Sequence, residues 1–390
     1  MLLNIIRIEA PISRKEVSHI SQLSIATTKR LIEELLSENL VVEIGVNDNP
    51  RGRKASLLQL NGDYGGAIGV NIIPHVLEIV GISFTGRIIY KNMVQGIHPD
   101  CQTILPCLKR EVGKACAFIN SEYRGKLLGI GVGIAGLVDI QKGLVHYTPN
   151  IEGWENVPLG SILSEEFHTD VIVDDSVRCM ALSEKRYGAG RNLSNFLYIY
   201  IGQGVGAGII LDGRMYRGDH GIAGEFGHIT IRKDGNLCNC GNRGCLEAHV
   251  SVTPIIEEVK KNILSNVYTS LKQIYERAGT ITLRNILEES LKGDKLANLI
   301  INSVSEDVGV GIANLVNVFD PGVIILGGEV VDTFGEAVMD NVKRVVSLKA
   351  INAISSRTSI MRCGINEFIA PRGAATLLIE KYLGNSILNM

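Results

Sequence analysis

Gly224-Glu-Phe-Gly-His228 and, after a further nine residues, Cys238-Asn-Cys-Gly-Asn-Arg-Gly-Cys245-Leu-Glu247 form the most specific chemical signal in this chain of 390 residues. One imidazole and three thiolates suit tetrahedral zinc. Because four protein ligands leave no coordination position for water, we expect a structural zinc site rather than a hydrolytic one. The alternative is three free thiols in a loop beside an unrelated histidine. The predicted zinc ligands are His228, Cys238, Cys240 and Cys245.

Alternating strand-like and helical patterns surround this loop from residue 64 onward. Strand-like runs lead into glycine turns or helices, which is typical of α/β domains. Two such blocks predict two α/β lobes with a cleft between them, where ligands commonly bind. The expected strands include Ala67–Val80, Arg87–Tyr90, Leu127–Ile134, Val171–Asp175 and Val323–Gly328, and the expected helices are Thr103–Asn120 and about 251–317.

The first 62 residues predict a separate module of three helices and a β-hairpin. Ser13 and Glu16 have capping-box spacing, and Ser24 can cap the third helix. Three helices followed by a hairpin are typical of a winged helix-turn-helix, whose third helix enters the DNA major groove. A packing or dimerisation module is the alternative. The predicted DNA contacts are Thr27, Thr28, Lys29 and Arg30 on the third helix and Arg51 and Arg53 at the wing tip.

Composition limits these interpretations. The formal net charge is −2, and residues 1–60 carry eight Lys or Arg against seven Asp or Glu, so overall charge does not attract nucleic acid. The N-terminus lacks a basic region before a sustained apolar stretch, and other apolar runs are short or broken by glycine. We therefore expect a cytoplasmic protein with no membrane partner. In such a reducing compartment, clustered cysteines favour metal over disulfide.

Many ordered motifs in this chain together resemble the ROK family (repressors, open reading frames and kinases), in particular its xylose-repressor type. The resemblance implies an actin-like, ribonuclease-H-like two-lobed α/β fold behind the winged helix-turn-helix, and a homodimer or tetramer. We expect residues 1–62 to bind DNA, 63–180 with a helix at about 366–390 to form the first lobe, and 181–365 the second. The motifs are Gly131–Asp139, Thr148–Trp154, Gly202–Gly208, Gly224–His228 and the cysteine loop through Glu247.

The resemblance also implies a ligand pocket. Kinases of the family hold sugar hydroxyls with carboxylates, amides and an imidazole, which suit groups that both donate and accept hydrogen bonds. His228 could bind zinc through one ring nitrogen and a hydroxyl through the other. The implied ligand contacts are Asn150, Asp175, Glu225, His228 and Glu247.

Departures from the kinase pattern argue against catalysis. Asn71-Ile-Ile-Pro-His75 stands where kinases have Asp-x-Gly-Gly-Thr, and Gln203 stands where a Thr is usual. Proline has no N–H, and the isoleucines add bulk where glycine amides should approach phosphates. We therefore expect no enzyme activity, with Asp175 a vestigial base position. Arg178, where a small residue is usual, either favours an anionic ligand or faces solvent.

Together these features predict a repressor of carbohydrate-metabolism genes. It would bind palindromic operator DNA and respond to a sugar or sugar phosphate that changes the angle between the lobes. The alternatives are a ROK-type sugar kinase carrying a DNA-binding domain, and an effector domain that docks a partner protein instead of a sugar.

Overall fold

The computed structural model describes residues 1–46, 56–123, 125–149, 151–365 and 367–384. The chain divides into two compact units, Met1–Cys179 with Phe368–Met390 as unit 1 and Met180–Glu367 as unit 2. The boundaries predicted for the three domains stay predictions.

Unit 1 begins with a small helical module closed by an antiparallel sheet of order β1-β3-β2. Ser13 caps α2 in a capping box with Glu16, and Ser24 accepts the Thr27 N–H to cap α3. Both helix starts agree with the sequence expectation, whereas the short strand β1 was not expected. The elements are α1 (Leu2–Glu9), β1 (Ile12–Ser13), α2 (Arg14–Ser21), α3 (Ile25–Ser37), β2 (Val41–Val46) and β3 (Ser56–Leu60).

The rest of unit 1 is built on a five-stranded sheet of order β11-β7-β4-β5-β6. Its strands β4 to β6 form an antiparallel meander, and β7 and β11 extend it in parallel. A small sheet of order β10-β9-β8 follows β7. The elements are β4 (Gly65–Ile73), β5 (Val76–Ser83), β6 (Ile88–Gln95), α4 (Cys101–Phe118), β7 (Lys126–Ile134), β8 (Leu137–Asp139), β9 (Leu144–Tyr147), β10 (Glu155–Val157), α5 (Leu159–Phe167), β11 (Val171–Asp175) and the start of α6 (Ser176–Tyr187), which belongs to unit 2 from Met180 onward.

Unit 2 repeats this sheet plan. Strands β12 to β14 form a meander, β15 and β16 extend it in parallel, and the order is β14-β13-β12-β15-β16. The predicted helical stretch at 251–317 divides into α8 to α11. The elements are β12 (Phe196–Ile201), β13 (Val205–Leu211), β14 (Arg214–Tyr216), α7 (Glu247–Val250), α8 (Val252–Leu264), α9 (Leu271–Ala278), α10 (Leu283–Leu291), α11 (Lys295–Phe319), β15 (Val323–Gly327), α12 (Glu329–Phe334), α13 (Glu336–Lys349), α14 (Asn352–Ser355) and β16 (Ser359–Arg362).

Helix α11 is long and apolar enough to cross a membrane by length and composition, the single such helix among the described residues. Its apolar window is 61% buried, and its buried residues pack in the core of unit 2. A core helix passes the same test, so this helix is weak evidence for a membrane span.

The chain returns to unit 1 with α15 (Ile369–Tyr382), which lies against its five-stranded sheet at backbone distance. A Cβ on Gly69 of β4 would lie 1.8 Å from the Pro371 oxygen, and a Cβ on Gly131 of β7 would lie 1.9 Å from the Ala374 oxygen. These two strand glycines therefore have a packing reason, because any side chain there would push α15 away from the sheet.

Candidate functional site

The four predicted metal ligands come together in unit 2. Their ligand atoms, one from each of His228, Cys238, Cys240 and Cys245, all lie within 4.8 Å of one another. The Cys240 and Cys245 sulfurs are 3.7 Å apart, as are Cys238 Sγ and His228 Nδ1. Zinc–sulfur bonds of about 2.3 Å at tetrahedral angles place sulfurs about 3.8 Å apart, whereas a disulfide needs about 2.05 Å. The group could therefore hold a metal ion.

Backbone hydrogen bonds fold the cysteine loop back on itself. Leu246 N–H donates to Ile229 O at 3.0 Å, and Ile231 N–H donates to Gly244 O at 2.9 Å. Gly244 has φ +75°, and a Cβ there would lie 1.6 Å from the Arg232 oxygen. Only glycine fits this turn, which brings Cys245 back beside His228.

The loop is anchored to α11 by an ion pair that sequence reasoning missed. Arg232 donates to Asp307 through Nε at 2.9 Å and contacts its second oxygen through Nη2 at 2.8 Å. Burial raises the pKa of Asp307, and Arg232 opposes that shift. The two residues are 75 positions apart in the sequence, so no local sequence pattern predicts that they pair.

Two further features of the loop concern its chemistry. Burial raises the pKa of the Cys245 thiol to about 12. Its thiolate form, which a metal would need as a ligand, therefore requires a positive charge nearby. His249 accepts the Asn236 N–H through Nε2 at 3.3 Å and is not among the four clustered ligands.

Three of the predicted sugar contacts, Glu225, His228 and Glu247, lie on either side of the cysteine loop in the chain. His228 directs Nδ1 at Cys238, and its Nε2 lies 3.8 Å from Glu225 Oε2. Glu247, at the start of α7, accepts the Val205 N–H at 2.8 Å. The His228 imidazole therefore directs Nδ1 at the clustered cysteines and Nε2 at the half-exposed Glu225 carboxylate.

The glycine loop Gly202–Gly206 is bordered by carboxylates. Gln203 Nε2 donates to Glu329 Oε2 at 3.2 Å, and a Cβ on Gly204 would lie 3.1 Å from Glu247 Oε2. Two acidic side chains are therefore close to the loop where the kinase resemblance implies nucleotide phosphates.

Asp175, predicted to be a vestigial base position, caps helix α6. Its Oδ1 accepts the N–H groups of Val177 at 2.9 Å and Arg178 at 3.0 Å, which satisfies the first turn of α6. Burial raises the pKa of Asp175, and the charge of Arg178 opposes that shift. Its position at the end of β11 is the one expected from the sequence.

Arg178 does not face solvent, so that expectation is wrong. Its side chain is 4% exposed, and its Nε donates to Asp174 Oδ1 at 2.7 Å, with Asp174 1% exposed. Asp174 lies at the end of β11 and Arg178 in the first turn of α6, so the pair joins the strand end to the helix start. The Asp174 carboxylate offsets the charge that an anionic ligand would need.

Asn71-Ile-Ile-Pro-His75 forms the turn of a tight hairpin, where a single strand over Ala67–Val80 was expected. Ile73 pairs with Val76, so Pro74 and His75 make the whole connection, with φ +68° at His75. The Asn71 side chain donates to Glu78 at 2.9 Å and accepts from the Ser176 hydroxyl at 2.8 Å. Both ends of the Asn71 amide are therefore engaged within the protein.

The predicted DNA contacts on α3 divide into exposed and buried residues. Lys29 and Arg30 are exposed and pair with Glu33 and Glu34 one turn later. Thr28 is 1% exposed, so the expectation that its side chain contacts DNA is wrong for this conformation. Thr27 is half-buried beside Ser24. The predicted contacts Arg51, Arg53 and Asn150 lie outside the described residues.

The model of the ROK family matches residues 79–381, which is most of the chain. The chain belongs to the ROK family. The xylose repressor of Caldicellulosiruptor bescii is 35% identical over 88% of this chain and 85% of its own.

Two solved structures extend the comparison. This ROK chain is similar to a ROK family transcriptional regulator, described as a homologue of the Escherichia coli MLC protein, with TM-score 0.85 and 27% identity over 99% of this chain and 96% of that one. A ROK glucokinase from Streptomyces griseus, solved with glucose and AMPPNP, gives TM-score 0.68 and 27% identity over 80% of this chain and 99% of its own. The family resemblance and the actin-like sugar-kinase fold are confirmed.

Proposed function

We propose that this ROK protein is a DNA-binding transcriptional repressor of carbohydrate-metabolism genes. One observation carries the proposal: a transcriptional regulator matches 99% of the chain, whereas a glucokinase of the same fold leaves about a fifth unmatched. The family model begins at residue 79, so the small N-terminal module precedes the part shared with kinases.

The N-terminal module is the proposed winged helix-turn-helix. Helix α3 begins at Ile25, is capped by Ser24 and exposes Lys29 and Arg30, while Ile32 is fully buried in the module. Such a helix fits the major groove, and the hairpin from β2 to β3 is the proposed wing with Arg51 and Arg53. We propose a homodimer or tetramer, because paired modules read palindromic half-sites.

Selection of duplexes from a random DNA library with the full-length protein tests this function. We expect enrichment of a palindromic sequence, confirmed by gel shift at fixed salt with a scrambled duplex as control. If the protein prefers no sequence, with or without a panel of sugars, the repressor proposal fails.

The proposed metal is a structural zinc held by His228 and the three loop cysteines. Support comes from the set of four clustered donors and from the 3.7 Å between the Cys240 and Cys245 sulfurs, which matches two ligands of a tetrahedral zinc. Bound zinc would fix the His228 tautomer through Nδ1 and leave Nε2 to face the effector.

The proposed effector is a sugar or sugar derivative contacted by Glu225, His228 and Glu247. Neutral polyols suit these groups because carboxylates accept and imidazole N–H donates. Asn150 and Asp175 stay proposed contacts on the family resemblance. The buried Asp174–Arg178 pair removes the one local reason to favour a sugar phosphate.

Glu225→Gln is expected to weaken sugar binding about tenfold, because a charged hydrogen-bond acceptor is lost. Isothermal titration with hexoses, pentoses and amino sugars, preceded by a thermal-shift screen, measures the change. Glu257→Gln, an acidic residue of α8 outside the proposed contacts, is the matched control. If no sugar binds the wild type, the alternative of a docked partner protein is favoured.

A sugar kinase is the second candidate, favoured by the glucokinase similarity and by Asp175 at the end of β11. Three local features oppose it. The Asn71–His75 hairpin offers a proline where amides should meet phosphates. The Asn71 amide is engaged by Glu78 and Ser176. The glycine loop Gly202–Gly206 is bordered by the carboxylates of Glu247 and Glu329, which would repel nucleotide phosphates.

Coupled ADP-release assays with the same sugars distinguish the two functions. We expect the wild type to match Asp175→Asn, which retains an N-cap residue but removes the potential base. Sugar-dependent turnover that exceeds the variant's rate would establish the kinase instead.

A further inference from the structure

Helix α15 contacts the N-terminal module through one side-chain pair and the residue just after the module through another, and the functions above use neither pair. Arg7, in the last turn of α1, donates from Nη1 to Glu380 Oε1. Tyr64, just after the module, hydrogen bonds through its hydroxyl to that of Tyr382. Both contacts lie in the final turn of α15, so this turn touches the module at Arg7 and the chain that leaves the module at Tyr64.

Burial makes the first contact energetically important. The Arg7 side chain is 18% exposed, and that of Glu380 is fully buried. Removing one partner of a buried ion pair is strongly unfavourable because the remaining charge loses its compensation. Arg7 and Glu380 therefore resist separation far more than a surface ion pair would.

The second contact is largely aromatic. The Tyr64 ring lies 5.1 Å from Phe84 and 5.5 Å from Tyr382 between ring centroids. The Lys126 ammonium lies 5.6 Å from the Tyr382 centroid, a cation–π distance. Tyr64 is thus held at the start of β4, where the covalent connection from the module ends.

One attachment would not orient the module. Asn61 N–H donates to Leu40 O at 2.9 Å, which ties the connection to the end of the module. Rotation about residues 61–64 would still move α3. The Arg7–Glu380 pair attaches the module to α15 through helix α1, away from residues 61–64. This second attachment prevents the module from rotating about the connection.

Helix α15 is also linked to α6, the helix capped by Asp175. A Cβ on Gly373 would lie 1.7 Å from the Cys179 oxygen, so the two backbones are in direct contact. Because close-packed interfaces shift between discrete arrangements, a displacement of α6 has to move α15 or break this contact.

We propose that Arg7 and Glu380 are positioning residues for DNA recognition. They hold the module in one orientation on α15 and thereby set the half-site spacing that a dimer reads. This inference rests on the proposed repressor function.

The test uses full-length, zinc-loaded protein and duplexes carrying two copies of the half-site selected by the wild type. Spacing is varied in single base pairs over one helical turn, because half-sites moved by half a turn lie on opposite DNA faces. The wild type should show one sharp optimum. Arg7→Gln and Glu380→Gln should each bind the optimal duplex about tenfold more weakly than the wild type does. Their DNA affinity should vary less than about threefold across the spacings.

Two variants serve as controls. Arg7→Lys retains a cation and should keep the optimum. Lys381 lies on the same turn of α15 and contacts Asp170, outside the module, at 2.7 Å. Lys381→Gln breaks this contact and should show the spacing profile of the wild type.

An unchanged spacing profile in Arg7→Gln would overturn the inference. So would a uniform loss of affinity at every spacing with the optimum preserved, since that indicates a structural role alone. Absence of sequence preference in the wild type would instead overturn the repressor function itself, which keeps the two failures distinct.

Discussion

Replacing Cys240 by Ser is expected to abolish zinc binding and to lower the melting temperature of unit 2 by roughly 10 °C. Cys240 is exposed, so the substitution removes little packing and acts through the metal. A ligand present at a thousand times its Kd stabilises the native state by about 4 kcal/mol, and each kcal/mol shifts a domain of this size by about 2–4 °C.

Metal content by mass spectrometry and melting by calorimetry, each with and without added zinc, measure this effect. Cys101→Ser, which alters a half-buried thiol of α4 outside the cluster, should keep its zinc and melt like the wild type. A Cys240→Ser protein that lacks zinc but melts unchanged would refute the structural role. Retention of one zinc per chain would refute the ligand assignment.

Replacing Arg30 and Arg53 together by Ala is expected to weaken operator binding about 100-fold while sugar affinity stays unchanged. Each basic contact to a base or phosphate contributes about 1–3 kcal/mol. Arg30 is 68% exposed on α3, and Arg53 belongs to the predicted wing outside the described residues. Each lost phosphate contact should also reduce the salt slope of log K by about one.

Fluorescence anisotropy at several salt concentrations separates these effects. Glu34→Gln is the matched control, because it releases Arg30 from its 2.7 Å ion pair and removes a negative charge near DNA. This variant should bind DNA as well as the wild type or better. Wild-type affinity in the double Arg variant would contradict the winged-helix assignment.

Features encoded within one short segment were predictable from the sequence. The predicted metal ligands His228 and Cys245 lie within 18 residues of each other, and the glycines between them allow the turn that joins them. The capping box at Ser13 and Glu16 is likewise a contact over three residues. Backbone geometry alone decides such contacts, so spacing and residue type are sufficient.

Features that depend on distant partners were missed or mistaken. Arg232 and Asp307 are far apart in sequence, and nothing local marks them as a pair. Thr28 carries a polar side chain on the helix, yet the packing of the module turns it inward. The Ala67–Val80 stretch is apolar throughout, so its division by Pro74 into two strands follows from their pairing in the sheet.

The sequence by itself determined the family, the grouping of His228 with three cysteines that could hold a metal ion, and the repeated α/β pattern, because local spacing and chain order carry that information. Tertiary structure alone decided that Arg178 is neutralised by Asp174, that carboxylates border the glycine loop at Gly204, and that Arg7 reaches Glu380. The physical reason is burial: a charge removed from water needs a partner, and only the folded chain determines which residue lies close enough to serve.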